Sequence, residues 1–306
     1  MTSRSGRASV KRLVERILLD CGPAALARRA HRSDCAVLAY HNIVPLGERA
    51  MGDRSLHLPQ REFARQLDAL LTRFKVVPLE ALALAEPPSG PRVAITFDDA
   101  YAGAVTAGVA ELVERGMSAH VFVVPNLLGR RSFWWDRLAD PASGVVTSAV
   151  REHALWALGG EDERVRRWAE EEGLATQKPP PHARSATPEE LDAAAGRPGI
   201  TLGSHGWSHA NLAALPEDAL ERELVESGDW LRRRYGAAHA SWLSYPYGLT
   251  TDRVIESAAR TYTRALRIAG GLADRRRLGT GAHSIPRINV PSGISRAGLL
   301  LRASGL

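Results

Sequence analysis

The sequence predicts an α/β chain built on a largely parallel sheet, and a closed barrel rather than an open dinucleotide-binding sheet. Two patterns carry this expectation. Short apolar runs rich in Val, Ile and aromatic residues alternate with amphipathic helical stretches through most of the 306 residues. Strands that read as continuous apolar runs are those buried on both faces of a parallel sheet. About eight such units in roughly 270 residues is barrel-sized. No GxGxxG follows any strand, so the dinucleotide fingerprint is missing.

The elements follow in chain order. Residues 1–34 read as an amphipathic helical segment, with Val10, Leu13, Val14, Ile17 and Leu18 at helical spacing. Glu15, Arg16 and Asp20 interrupt them, so the segment is neither a signal-peptide core nor a membrane span. Residues 35–306 are expected to form the barrel. Its strands are Ala36 to Val44, Lys75 to Pro78, Arg92 to Phe97, His120 to Val124, Ile200 to Gly203, Trp242 to Tyr245, Tyr262 to Ile268 and Ser284 to Val290. Helical patterns lie at about 60–73, 101–115, 216–236 and 250–260. The stretch 130–190 breaks the rhythm with Trp134, Trp135, Trp156, a charged run from Glu161 to Gly173 and a Pro-rich turn at 177–182. It reads as a helical insertion within the barrel.

Composition excludes several functions. Only three of the 40 basic residues are lysines (Lys11, Lys75, Lys178), leaving 37 arginines. No lysine follows a glycine, so there is no GK[ST] phosphate loop and no P-loop NTPase. The formal charge is +6, with arginines along the whole chain and often beside an acid, as at Arg61-Glu62 and Arg151-Glu152. The densest runs, Arg232 to Arg234 and Arg275 to Arg277, lack interleaved aromatics, so the charge reads as solvated surface and no nucleic-acid partner is expected. Cys21 and Cys35 are too few for a disulfide scaffold and read as structural. No stretch approaches 18 uninterrupted apolar residues, so no integral membrane segment is expected and the expected location is the cytoplasm.

Three segments, each directly after an expected strand, carry chemistry. The C-terminal ends of barrel strands are where active sites collect. In Val93-Ala-Ile-Thr-Phe-Asp98-Asp99 an apolar run meets two carboxylates. Adjacent side chains leave a strand in different directions, so one can bind a cation while the other faces substrate; capping of the next helix is the plainer reading. In Gly203-Ser-His205-Gly-Trp-Ser-His209 the HxxxH spacing would set two imidazoles on one face of a helical turn. Two His and a carboxylate make a three-ligand metal site with an open position. Position 206 is Gly, so the base of an HExxH zincin is missing. Ser244-Tyr-Pro-Tyr247-Gly248 is a Pro- and Gly-fixed turn that can present a backbone N–H to a cleft.

Taken together, TFDD at 96–99, HxxxH at 205–209 and PYG at 246–248 resemble the NodB-homology polysaccharide deacetylases, carbohydrate esterase family 4. Tyr40-His41-Asn42-Ile43 resembles the family's YHxI element, and Pro286-Arg287-Ile288-Asn289-Val290 a late PRINV element. The similarity runs from about residue 36 to 290. It implies a distorted (β/α) barrel with a divalent metal, most often Zn2+. Asp99, His205 and His209 would be the ligands, Asp98 the general base, and the Tyr247 N–H an oxyanion donor. The implied substrate is an N-acetylated sugar or polysaccharide, cleaved to acetate and a free amine.

Two positions depart from the family pattern. The Ser or Thr usual after the first His is Gly206, and the Arg that often opens the third motif is Ser244. Arg287 is expected to replace that Arg by reaching Asp98 from a neighbouring strand. The family's late Leu-x-x-His acid motif has no clear counterpart either. His41 or His283 is expected to protonate the leaving amine, with His41 favoured for its YH setting; a core histidine bonded to backbone is the alternative for His41. Trp134-Trp135 either line the cleft for sugar stacking or pin the insertion to the barrel. Two rival functions are a glycan-binding barrel with weakened catalysis and a deacetylase of a cytosolic small molecule or lipid-linked sugar.

Overall fold

A computed structural model of the chain describes residues 13–19, 22–31, 33–83, 90–129, 132–274 and 282–306. Val10, Asp20, Cys21 and the Arg275 to Arg277 run lie outside the described residues.

Seven parallel strands close a barrel: β1 (Cys35–Tyr40), β5 (Arg92–Phe97), β6 (Ala119–Val123), β7 (Ile200–Ser204), β8 (Trp242–Ser244), β9 (Arg264–Ile268) and β10 (Ile285–Asn289). Closure comes from β1, which pairs with β10 through Leu38↔Ile288 and with β5 along its whole length. The short β4 (Lys75–Val76) pairs only with the start of β5, while β6 pairs with the end of β5. Eight units were expected in the wall. β4 instead flanks it, because two residues are too few to span the barrel height.

The expected first strand is also divided. β1 stops at Tyr40, His41 lies between the strands, and β2 (Asn42–Val44) turns away to pair with β3 (His57–Pro59), a strand the sequence pattern does not announce.

The alternation of strand side chains separates two apolar layers. Ala36, Leu38 and Tyr40 of β1 and Val93, Ile95 and Phe97 of β5 face outward onto helices. Among these is α3 (Gln60–Leu71), whose Phe63, Leu67 and Leu70 are buried at helical spacing. Val37 and Ala94 face inward with Phe122, Trp242, Leu266 and Ile285. The barrel interior is so tight that a Cβ on Gly203 would lie 2.5 Å from the His120 ring.

The insertion carries α5 (Trp134–Leu138), α6 (Ser148–Glu152), α7 (Asp162–Glu171) and α8 (Pro188–Ala195). Trp134, Trp135, Val146, Leu155 and Val165 belong to the same buried cluster as the barrel's outer face. The remaining helices are α1 (residues 13–19), α2 (Pro23–Ala30), α4 (Val109–Glu114, entered through a π-helical turn), α9 (Glu217–Tyr235), α10 (Asp252–Thr261) and α11 (Arg296–Ala303). No helix among the described residues is long and apolar enough to cross a membrane.

Candidate active site

Strand alternation carries Ala94, Thr96 and then Asp98 to the inside of the barrel mouth. Asp99 follows with φ 68°, a left-handed backbone uncommon outside glycine, which turns its carboxylate from the wall toward the β7–α9 loop. The HxxxH segment on that loop is not a helical turn. Gly206 (φ 75°) and His209 (φ 64°) both take left-handed conformations, and Glu223 from α9 holds the loop by accepting the backbone N–H groups of Trp207 and Ser208 at 2.9 Å. The two imidazoles therefore converge through loop shape and not through helical period, with ring centroids 4.8 Å apart.

His209 Nε2 lies 3.0 Å and His205 Nε2 3.4 Å from Asp99 Oδ1. One ligand atom from each of the three residues falls within 4.8 Å of the others, and all three side chains are buried. His205 Nδ1 donates to the Ser244 carbonyl at 2.7 Å, which leaves the Nε2 lone pair for the cluster. Asp99 Oδ1 is buried with no hydrogen-bond partner among the described residues. A buried, unpartnered carboxylate oxygen facing two imidazole nitrogens is a donor set that fits a divalent cation.

Arg287, fully buried on β10, makes a fork on Asp98. Its two terminal nitrogens reach Oδ1 at 2.8 Å and Oδ2 at 2.7 Å. The same nitrogens reach Thr96 Oγ1 at 3.0 Å and Ser244 Oγ at 2.6 Å. Ser244, where an Arg was the family expectation, thus accepts from the Arg supplied by β10. Burial works against ionisation of Asp98, but the Arg287 charge and hydrogen bonds, with the charges of His205 and His41, outweigh it and bring the carboxyl to about 2. Burial also opposes ionisation of Asp99, and His205 and His209 hold it far below the usual carboxylate range. The imidazoles move apart. Asp98 and Asp99 raise His205 against its burial, while burial lowers His209.

Tyr247 has φ 58° in the turn after β8. Two of the turn's bonds, from Gly248 N to Tyr245 O and from Leu249 N to Pro246 O, reach across Tyr247 without using its N–H. The Tyr247 hydroxyl donates to the Gly160 carbonyl and accepts from Trp134 Nε1, tying the turn to the insertion.

Asp98, Asp99, His205, His209 and Tyr247 line a cleft of about 240 Å³ that also contains His41 and Asn289. His283 does not line it; its Nε2 lies 2.8 Å from the Tyr262 carbonyl, two residues before β9. Trp135 is a wall, stacked on Phe133 and 4.9 Å from His209, while Trp134 is wholly buried behind it.

Three contributors went unrecognised in the sequence. Asp53 and Arg151, paired at 2.7 Å, complete the cleft from a loop and from the insertion. Glu223 carried a readable signal, as an acid on the apolar stripe of α9 with Leu220, Leu224 and Leu231.

A family model of polysaccharide deacetylases matches residues 85–266, more than half of the chain. The chain belongs to the polysaccharide deacetylase family. It is therefore a hydrolase acting on the carbon–nitrogen bond of N-acetyl groups, with an N-acetylated carbohydrate as substrate class. No curated protein sequence matches it significantly.

Among solved structures, a Streptococcus pyogenes deacetylase, PplD, in complex with acetate is 18% identical with a TM-score of 0.61, covering 88% of this chain and 98% of that one. IcaB from Ammonifex degensii is 17% identical with a TM-score of 0.58, covering 89% and 97%. A de-N-acetylase from Aggregatibacter actinomycetemcomitans is 15% identical with a TM-score of 0.58, covering 87% and 98%. At these identities the structural likeness establishes the (β/α) barrel, and the family membership rests on the sequence match.

Proposed function

We propose that this polysaccharide deacetylase is a metal-dependent N-deacetylase in which Asp98 is the general base. The observation that carries the reading is Asp98, held by the Arg287 fork, beside the Asp99–His205–His209 cluster on one cleft. Asp99, His205 and His209 offer one carboxylate oxygen and two imidazole nitrogens, the donor set for a Zn2+ that lowers the pKa of water and polarises a carbonyl when bound.

Asp98 takes the proton of the attacking water, and Arg287 keeps that carboxylate charged and fixed in plane. Tyr247 directs its backbone N–H at the oxygen on which negative charge develops. His41, on the same cleft, returns a proton to the departing nitrogen, so acetate and a free amine leave. The cleft is smaller than the ~300–1000 Å³ of common ligand sites, which suits one reacting sugar residue with the rest of the substrate outside.

The test is acetate release from N-acetylglucosamine oligomers, with and without a chelator, alongside elemental analysis of the protein. Release that stops on chelation and returns with Zn2+ supports the reading. Absence of metal-dependent release from every N-acetyl sugar tried overturns it.

A further inference from the structure

The charge of this chain is not evenly placed. Residues 1–32 hold eight Lys and Arg against two Asp and Glu, a net +6, which equals the formal charge of the whole protein. The 274 residues that follow balance at 32 of each sign. Among the described residues, five of the twelve exposed large apolar side chains lie in this segment. On α1, Leu13 is 60% exposed, Val14 47%, Ile17 50% and Leu18 38%, and Leu26 of α2 is 70% exposed.

Helical geometry explains the arrangement. Positions 13, 14, 17 and 18 share one face of α1, whereas Glu15 and Leu19 share the opposite one. The second face is the one that docks: Leu19 is buried in the main core, and Ser295 at the start of α11 donates to the Glu15 carboxylate. The helix is thus fixed to the barrel with its apolar side outward, Arg16 exposed beside it and Arg29 exposed at the end of α2. An outward apolar stripe flanked by arginines is the chemistry of a helix lying in a membrane interface, with apolar side chains below the headgroups and guanidinium groups among their phosphates.

The attachment point is also linked to the cleft. Ser295 lies six residues beyond Asn289 of the cleft, and between them Ser292 bonds the backbones of Arg54 and Ser55 at the cleft rim.

We propose that α1 and α2 form an interfacial anchor that lays this protein on an anionic lipid bilayer. The occupant is identified by charge complementarity. A second copy of this segment would bring +6 against +6, whereas anionic headgroups neutralise it.

The experiment is co-sedimentation of the full chain with vesicles of phosphatidylcholine alone or mixed with phosphatidylglycerol. Binding to the anionic vesicles should be at least about tenfold stronger and should weaken as salt is raised. Ile17→Asp should abolish binding, and Arg16→Glu with Arg29→Glu should reduce the preference for anionic vesicles. All three positions are exposed and outside the cleft, so circular dichroism and acetate release from a soluble substrate should stay as in the wild type. Equal binding by wild type and Ile17→Asp, or equal binding to both vesicle types, overturns the proposal. So does a lipid-free dimer in sedimentation velocity that Ile17→Asp dissociates, because the stripe is then covered by a second copy.

Discussion

Replacing Arg287 by Ala tests the site most directly. The guanidinium is fully buried and makes four hydrogen bonds, two of them to Asp98 at 2.8 and 2.7 Å. Holding Asp98 at about 2 instead of 3.8 is worth roughly 2–3 kcal/mol at ~1.4 kcal/mol per pH unit. The folded pKa is depressed, so this contribution is whole at neutral pH and disappears as pH falls from about 4 to about 2. Deleting one partner of a buried ion pair strands the other and costs ~3–5 kcal/mol.

Without the Arg287 charge, burial still opposes ionisation of Asp98 and only His205 and His41 remain to favour it, so its carboxyl titrates at higher pH. Loss of a placed general base lowers kcat by roughly 100-fold or more. The assay is acetate release as a function of pH, with denaturant unfolding and metal content measured on the same samples. Arg287→Ala should show an acid limb moved upward, a large fall in kcat and metal content equal to wild type. Arg287→Lys should recover part of the charge effect but not the two-nitrogen geometry. A variant within twofold of wild-type kcat, with an unmoved acid limb, would refute the role of Arg287.

Other outcomes follow from neighbouring contacts. Asp99→Asn removes the charge of the proposed ligand, so metal content should fall well below wild type by elemental analysis, and saturating Zn2+ should no longer raise the Tm. Gly206→Ser forces a side chain onto a backbone at φ 75° with its Cβ 3.2 Å from Glu223 Oε2; denaturant unfolding should show a loss of ~1–2 kcal/mol. His41→Ala should remove the limb of the pH–rate profile that reports the general acid, while His283→Ala, outside the cleft, should keep the wild-type profile.

The family motifs were legible because their information is local. An apolar run that ends in Asp98-Asp99 places both acids at a strand end wherever the strand sits, and the same adjacency puts His205 after β7 and Tyr247 after β8. Local order misled at HxxxH. Helical spacing was the natural reading, but left-handed Gly206 and His209 with Glu223 beneath them build a loop. It also misled at Ala36 to Val44, where continuous apolar character concealed the break at His41.

By itself, the sequence determined a parallel barrel, the order of its motifs and the absence of phosphate-loop chemistry, since each depends on residue type and short-range spacing. Only the tertiary structure decided which distant groups meet. Arg287 and Asp98 are 189 residues apart, and their fork exists because β1 closes the ring between β10 and β5. Asp53 and Arg151, 98 residues apart, meet at the cleft because the insertion folds into the barrel's own core. The outward face of α1 was decided in the same way: amphipathic spacing marks a stripe, but the contacts of Glu15 and Leu19 with the barrel leave that stripe toward solvent.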